Sequence, residues 1–171
     1  ANLSIEIELI SPAVEENDPF DMQDETPFQK MEPSRLQTIL NAPKSDALIG
    51  YHVAMQERCG HCFWAVETMA DAKLVGFCGL RRGGHQGTPI VDELETGWRL
   101  SRSEWGKGFA REAAWATLAW GWSNCDAPRI SAWTVPANNA SWGLMIRLGM
   151  KHRPELDFNH PAFSIEHPLS R

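Results

Sequence analysis

The fold is decided by SEWGKGFAREAAWATLAWGW, running from Ser103 to Trp122. Two glycines, Gly106 and Gly108, stand one residue apart where a helix is about to begin. Each loses more backbone entropy on folding than any other residue, so that position must need bare backbone. Behind them Ala110, Ala113, Ala114, Thr117, Leu118 and Gly121 recur with helical spacing. They define one face of unusually small side chains, which lets a helix lie close to a sheet. Ahead of them, ELETGWRL reads as a strand.

A strand that runs into Gly-x-Gly and then opens a helix suits an anion. The first N–H groups of a helix lack intrahelical acceptors, and the helix dipole favours negative charge there. Glycine lets a phosphate approach that backbone. The common phosphate motifs fit poorly. Gly106-Lys107-Gly108 lacks the spacing of a P-loop. A dinucleotide fingerprint needs a third glycine where Arg111 stands. A pyrophosphate turn of another kind remains, beside the plainer reading of a glycine turn that only sharpens a chain reversal.

The rest of the chain bounds the answer. Its 171 residues suit a single domain, residues 1–171, with a real core. Net charge is −6, with nine acidic residues and one basic residue among the first 32. An acidic chain is a poor generic nucleic-acid binder, so no nucleic-acid partner is expected. No segment approaches the roughly 20 apolar residues of a membrane span. Charges from Glu6 onward argue against a signal peptide. A cytoplasmic enzyme is the default expectation.

Cys59-Gly60-His61-Cys62 carries the C-x-x-C spacing of a disulfide oxidoreductase. There a helix follows the motif and stabilises the thiolate. Here a helical pattern precedes it and the strand-like FWAVET follows, so a helix-to-strand turn is expected. Cys78 and Cys125 stand alone and supply no second ligand pair, so no metal is expected.

The remaining segments give a coarse order. LSIEIELI alternates as a half-buried strand, and the acidic stretch after it holds three prolines, with Asn17 or Asp18 as a cap for a short helix. SDALIGYHVAMQER reads as a helix capped by Ser45. CFWAVET and KLVGFCGL form a hairpin through MADA, and RRGGHQGTP is a longer loop before ELETGWRL. RISAWTV is a strand and NASWGLMIRLGM a helix, with Gly149 as its C-cap. A short strand is expected near residues 150–153. The sum is a mixed α/β sheet. Trp115, Trp120 and Trp122 cannot all point inward from one helix.

WGKGFAREA resembles the acetyl-CoA pyrophosphate loop of the GNAT N-acetyltransferase superfamily. Asn138-Asn139-Ala140-Ser141 and Leu148-Gly149-Met150 resemble the N-x-x-S and L-G-F/M motifs of its branch containing ribosomal-protein-alanine acetyltransferases. ETGWRL is similar to that family's fourth strand, FWAVE to its second and DFNHP to a loop of the branch. The resemblance implies a strongly twisted mixed sheet, flanked by helices and splayed between strands four and five. It implies acetyl-CoA as co-substrate and an amine as acceptor, either a protein N-terminus or a small molecule.

The resemblance also assigns residues. Trp98, Arg99 and Leu100 would meet the pantetheine arm through backbone groups, as an added strand does. Backbone N–H groups of Trp105, Gly106, Lys107, Gly108, Phe109 and Ala110 would cradle the pyrophosphate. Asn138 and Ser141 would contact the cofactor from the other side. Many members use a tyrosine as the acid for the leaving thiolate. The one tyrosine, Tyr51, lies far from that place, so Ser141 is the substitute candidate, against a purely capping role. Glu95 is the base candidate, against a solvated residue beside Asp92 and Glu93. His85 and His160 are candidates to line the acceptor pocket, against solvated loop histidines.

This chain departs from the family at Ser103, which replaces Arg or Gln, and at Ile146, which replaces a glutamate. The family's last strand would fall in AFSIEHPL, which is short and interrupted by Pro168. That strand is expected to be missing or atypical, with an open edge covered by a second subunit in a homodimer. Two rival readings stand: a CoA-binding or sensory protein without turnover, and an oxidoreductase built on Cys59 and Cys62.

Overall fold

The computed structural model describes residues 3–7 and 42–161. The described chain contains strand β1 (Leu3–Ile7), helix α1 (Ala42–Cys59), strands β2 (Phe63–Glu67), β3 (Leu74–Arg82) and β4 (Leu94–Leu100), helix α2 (Phe109–Asn124), strand β5 (Ile130–Thr134), helix α3 (Asn139–Arg147) and strand β6 (Lys151–His152). The strands are hydrogen-bonded in the order β2-β3-β4-β5-β1-β6. β4 and β5 are parallel, whereas β1 is antiparallel to both β5 and β6, so the sheet is mixed as the sequence implied.

Among the described residues one compact unit comprises 42–81 and 97–117, and the other comprises 3–7, 82–96 and 118–161. Strand β4 and helix α2 each run from one unit into the other.

In the first unit, β2 and β3 form the expected hairpin. Phe63 is registered opposite Gly79 and Ala65 opposite Phe77. The Met69–Ala72 turn closes through Thr68 N–H to Lys73 O and Ala72 N–H to Thr68 O, both 3.0 Å, with Ala72 at φ 52°. Val75, Cys78 and Leu80 are fully buried on β3. Gly79 is required by close approach, since a Cβ there would stand 2.1 Å from Cys62 O. The small face of α2 behaves as its spacing predicts: Ala113, Ala114, Thr117, Leu118 and Gly121 are buried and Ala110 is half-buried. Trp115 is the tryptophan that this helix turns outward.

One detail of α1 was misread in sequence, and its exit is the expected helix-to-strand turn. The helix begins at Ala42, so Ser45 lies inside it rather than at its cap. Pro43 occupies the first turn, where its missing N–H leaves no bond unmade and its fixed φ suits the helix. At the other end, Gly60 (φ 77°) donates to Gln56 O at 3.0 Å and turns the chain into β2. His61 is buried and its Nδ1 donates to Leu80 O at 3.2 Å, which ties this turn to β3.

In the second unit, β1 pairs along its length with β5, from Leu3↔Thr134 to Ile7↔Ile130. The β4–β5 ladder has two registered pairs, Leu94↔Ile130 and Glu95↔Ser131, although both strands continue beyond them. Ile90, Leu94, Leu118 and Ile130 form the buried centre of this unit with Leu144, Met145 and Leu148 from α3 and its end. Helix α3 ends in a Schellman arrangement. Gly149 (φ 81°) donates to Ile146 O and Met150 donates to Met145 O, so the last carbonyls are satisfied as the glycine predicted. The short strand expected near Met150 is β6, paired to β1. The acidic helix, the last strand and its open edge fall outside the described residues.

Candidate active site

The glycine loop lies in the first unit. Strand β4 ends at Leu100 with Trp98 half-buried, Arg99 exposed and Leu100 buried. A 3-10 turn, Arg102–Glu104, then delivers the chain to Trp105. The Trp105 indole folds back to donate to Leu100 O at 2.9 Å. Gly106 (φ 76°) and Gly108 (φ 93°) both adopt the left-handed conformation that side chains resist. A Cβ on either would meet nothing within 4 Å, so protein packing is not the reason for glycine there; backbone conformation and open space are. Helix α2 starts at Phe109, and Gly108 O accepts from Arg111 N–H and Glu112 N–H at 2.9 and 3.1 Å. Among the described residues the N–H groups of Gly106, Lys107, Gly108, Phe109 and Ala110 have no protein acceptor. This is a concentration of donors at the positive end of a helix.

A buried carboxylate organises that loop. Glu104 is 4% exposed, and its two oxygens take Lys73 Nζ at 2.6 Å and Lys107 Nζ at 2.9 Å. Ser103 Oγ donates to it at 3.2 Å. The hydrogen bonds from Lys73 and Lys107 hold its pKa down to about 2, well below the usual carboxylate range. Lys73 comes from the β2–β3 turn, so the clamp ties that hairpin to the glycine loop. Sequence reading missed Glu104 and Lys73. The local signal was an acid three residues before the loop lysine; the reach of Lys73 across the fold had none.

The second unit holds the other candidates. Glu95 is 5% exposed, so it is not a solvated strand residue. Its Oε2 accepts from Gly84 N–H at 3.3 Å, and Gly83 leaves room for its carboxylate. The loop carrying these glycines is tightly folded: Gly83 exchanges hydrogen bonds with Glu93 and Asp92, and the Thr88 hydroxyl donates to His85 O at 2.6 Å. Arg129 pairs with Glu93 through Nε, 2.9 Å from each carboxylate oxygen.

His85 and His160, far apart in sequence, meet with ring centroids 4.2 Å apart. Trp133 of β5 packs against both, at 5.7 and 5.3 Å, and against Phe158 at 5.9 Å. Neither histidine is a solvated loop residue. His160 is buried, and burial followed by the neighbouring His85 pushes its imidazole below its ordinary value. Asn138 caps α3. Its Oδ1 accepts from Ser141 N–H at 3.2 Å, and its Nδ2 donates to Ser141 Oγ at 3.0 Å. Asn138 and Ser141 are therefore engaged with each other, and the hydroxyl proton of Ser141 is not used in either bond.

Residues 9–151 match the model of the acetyltransferase (GNAT) domain. The chain belongs to the GNAT acetyltransferase family. It is similar in fold to an acetyltransferase from Agrobacterium tumefaciens str. C58, with a TM-score of 0.55 and 23% identity over 76% of this chain and 69% of that one. A GNAT-family acetyltransferase from Bacillus anthracis gives a TM-score of 0.52 and 22% identity over 70% of this chain and 68% of that one. Among curated proteins it is 28% identical to the uncharacterized protein YkkB of Bacillus subtilis (strain 168) over 93 residues, 54% of this chain. The matched region spans about half, 52%, of that relative.

GNAT acetyltransferases use acetyl-CoA as co-substrate and act on amine acceptors. The Cys59–Cys62 motif sits between α1 and β2 as the expected helix-to-strand turn, with no helix after it to stabilise a thiolate. Cys59 and Cys62 are both free thiols, and burial pushes Cys62 up to about 11, the opposite of a reactive thiolate. No group of metal-ligating side chains occurs among the described residues, and no helix there is long and apolar enough to cross a membrane.

Proposed function

We propose that the protein transfers an acetyl group from acetyl-CoA to an amine by direct attack on the thioester, as an N-acetyltransferase of the branch that contains the ribosomal-protein-alanine acetylases. The observation that carries this reading is the glycine loop: unpartnered backbone N–H groups at the start of α2, with open space before Gly106 and Gly108. In this reading those N–H groups hold the pyrophosphate, Lys107 adds a positive charge steadied by Glu104, and the backbone of Trp98, Arg99 and Leu100 meets the pantetheine arm. Asn138 and Ser141 contact the cofactor through the start of α3.

The chemistry then has three demands. The acceptor must attack as a neutral amine, so a base must take its proton; the buried Glu95 carboxylate serves, directly or through one water. The thioester oxygen becomes an oxyanion and needs donors aimed at it. As the tetrahedral intermediate collapses, the C–S bond breaks and the departing thiolate takes a proton, with the Ser141 hydroxyl as the candidate donor and water restoring the proton to its oxygen. His85 and His160 line the acceptor side.

Calorimetric titration tests the reading first. Acetyl-CoA and CoA should bind selectively over NAD, and incubation of the acetyl-CoA complex with a panel of amines should release free thiol. Binding without thiol release across the panel would support the rival reading of a non-catalytic CoA-binding protein. No CoA binding would remove both.

A further inference from the structure

Trp105 is 59% exposed, yet its indole is held: Nε1 donates to Leu100 O at 2.9 Å. A ring so exposed buries little apolar surface, so packing alone does not fix its position. The hydrogen bond does.

The acceptor of that bond lies on the edge of β4 turned away from β3. Ser101 N–H crosses to Val75 O on β3 at 2.8 Å. Arg99 O approaches β3 so closely that a Cβ on Gly76 would stand 2.2 Å from it. Backbone groups of successive strand residues alternate between the two edges. Leu100, between two residues that face β3, therefore turns its N–H and C=O to the opposite edge. The registered ladder between β4 and β5 runs no further than Glu95. Trp105, Leu100 and these β3 contacts all belong to the first unit.

An indole nitrogen only donates. It gives Leu100 O what the amide N–H of an added strand would give. A pantetheine arm carries such amides, and in the acetyltransferase reading it meets β4 at Trp98, Arg99 and Leu100. The oxygen has a second lone pair, but a nitrogen 2.9 Å from it stands where the nitrogen of an added strand would stand. The ring and the arm therefore compete for one place.

Release of the ring disturbs little else. The Trp105 backbone N–H donates to Arg102 O at 3.3 Å, and Gly106 turns the chain beyond it at φ 76°. That bond takes the Trp105 N–H out of the donor set of the glycine loop, so the residue brings its side chain to the site and not its backbone. The ring leaves by rotation about its own side-chain bonds and breaks one hydrogen bond in doing so.

We propose that Trp105 is a gate on β4: its indole N–H closes the Leu100 carbonyl, and acetyl-CoA binds by exchanging that donor for an amide N–H of its pantetheine arm. The inference rests on the acetyltransferase reading and adds a conformational step to it. Only the fraction of molecules with the ring withdrawn accepts the arm, which lowers the apparent affinity by that fraction.

The test uses nitrogen-15-labelled full-length protein, with the Trp105 indole resonance assigned through Trp105→Phe. Acetyl-CoA and adenosine 3′,5′-bisphosphate are titrated in turn, each to saturation by calorimetry. The second compound has the nucleotide end and no pantetheine. Acetyl-CoA should move the Trp105 indole signal, and the bisphosphate should leave it in place. Trp105→Phe keeps an aromatic ring and deletes the donor, at an exposed position where the core is untouched. It should bind acetyl-CoA roughly threefold to tenfold more tightly, with bisphosphate affinity unchanged. An indole signal that saturating acetyl-CoA does not move would overturn the gate. So would an equal shift with the bisphosphate, which would place the ring against the nucleotide. Equal or weaker acetyl-CoA binding by Trp105→Phe would make the ring a fixed support of the loop and also overturn it. Wild-type protein that fails to bind acetyl-CoA at all would instead remove the acetyltransferase reading, and the gate with it.

Discussion

The Gly106–Gly108 loop and the His85–Trp133–His160 cluster differ in the sequence distance between their parts. The loop is local: Glu104, Gly106, Lys107, Gly108 and the first turn of α2 are consecutive, and one reach from Lys73 completes it. It is built from backbone donors and ion pairs. The cluster gathers a loop after β3, the middle of β5 and a loop after β6, and it is built from aromatic rings and orphaned side-chain atoms. The difference matches the two ligands proposed. A cofactor phosphate is the same in every turnover and suits rigid backbone. An acceptor must be told from other amines, which suits side chains placed around it.

The strongest way to break the comparison is at Glu95. Glu95→Gln removes the proposed base while keeping a side chain that Gly83 can accommodate. It should lower kcat by about a hundredfold, with acetyl-CoA affinity unchanged. A matching loss of acetyl-CoA affinity would mean that the cluster side and the cofactor side are not separable. The converse change is Gly108→Val. A branched residue at φ 93° is strained, and its side chain would fill the open space before the loop. Acetyl-CoA affinity should fall by about tenfold or more, or about 1.4 kcal/mol at least. Unchanged affinity would mean that the loop is not the phosphate cradle.

Acid separates the two regions more gently. His160 titrates below its ordinary value near 6.5, so unfolded chains take up its proton first and stability drops as the pH falls through that value. His52, pushed down to about 4 by burial and by Arg81, adds to the same window. Glu104 contributes stability above its ordinary 4.5 that is lost as the pH falls from there towards about 2. Urea midpoints measured against pH should therefore decline in two stages. His160→Gln should flatten part of the upper stage, and Glu104→Gln should flatten only the lower one. A Glu104→Gln effect confined to the upper stage would refute the clamp.

The same contrast explains what the sequence disclosed. Motifs within a few residues were legible, because one local conformation dictates them. The small face of α2, the glycines at positive φ and the Gly149 cap all follow from helix geometry and left-handed backbone. Ser45 was misplaced because Pro43 starts a helix as readily as a serine caps one. His85 and His160 were named singly as candidates, but nothing in their spacing says that they touch. That contact is made by the course of β5 and the loop after β6, and Trp133 between them read only as one residue of a buried strand. Glu104 was passed over because a carboxylate looks solvated until its two lysines are placed.

Those lysines give the clamp a second consequence. A protein that handles an activated acyl thioester exposes its own amines to acylation, and only a deprotonated amine attacks. The bond from Lys73 to Glu104 raises the pKa of that ammonium above its ordinary value. Lys73 therefore spends even less time as a nucleophile at neutral pH than a free lysine does. The clamp that shapes the loop thus also makes the lysine it recruits a poorer nucleophile.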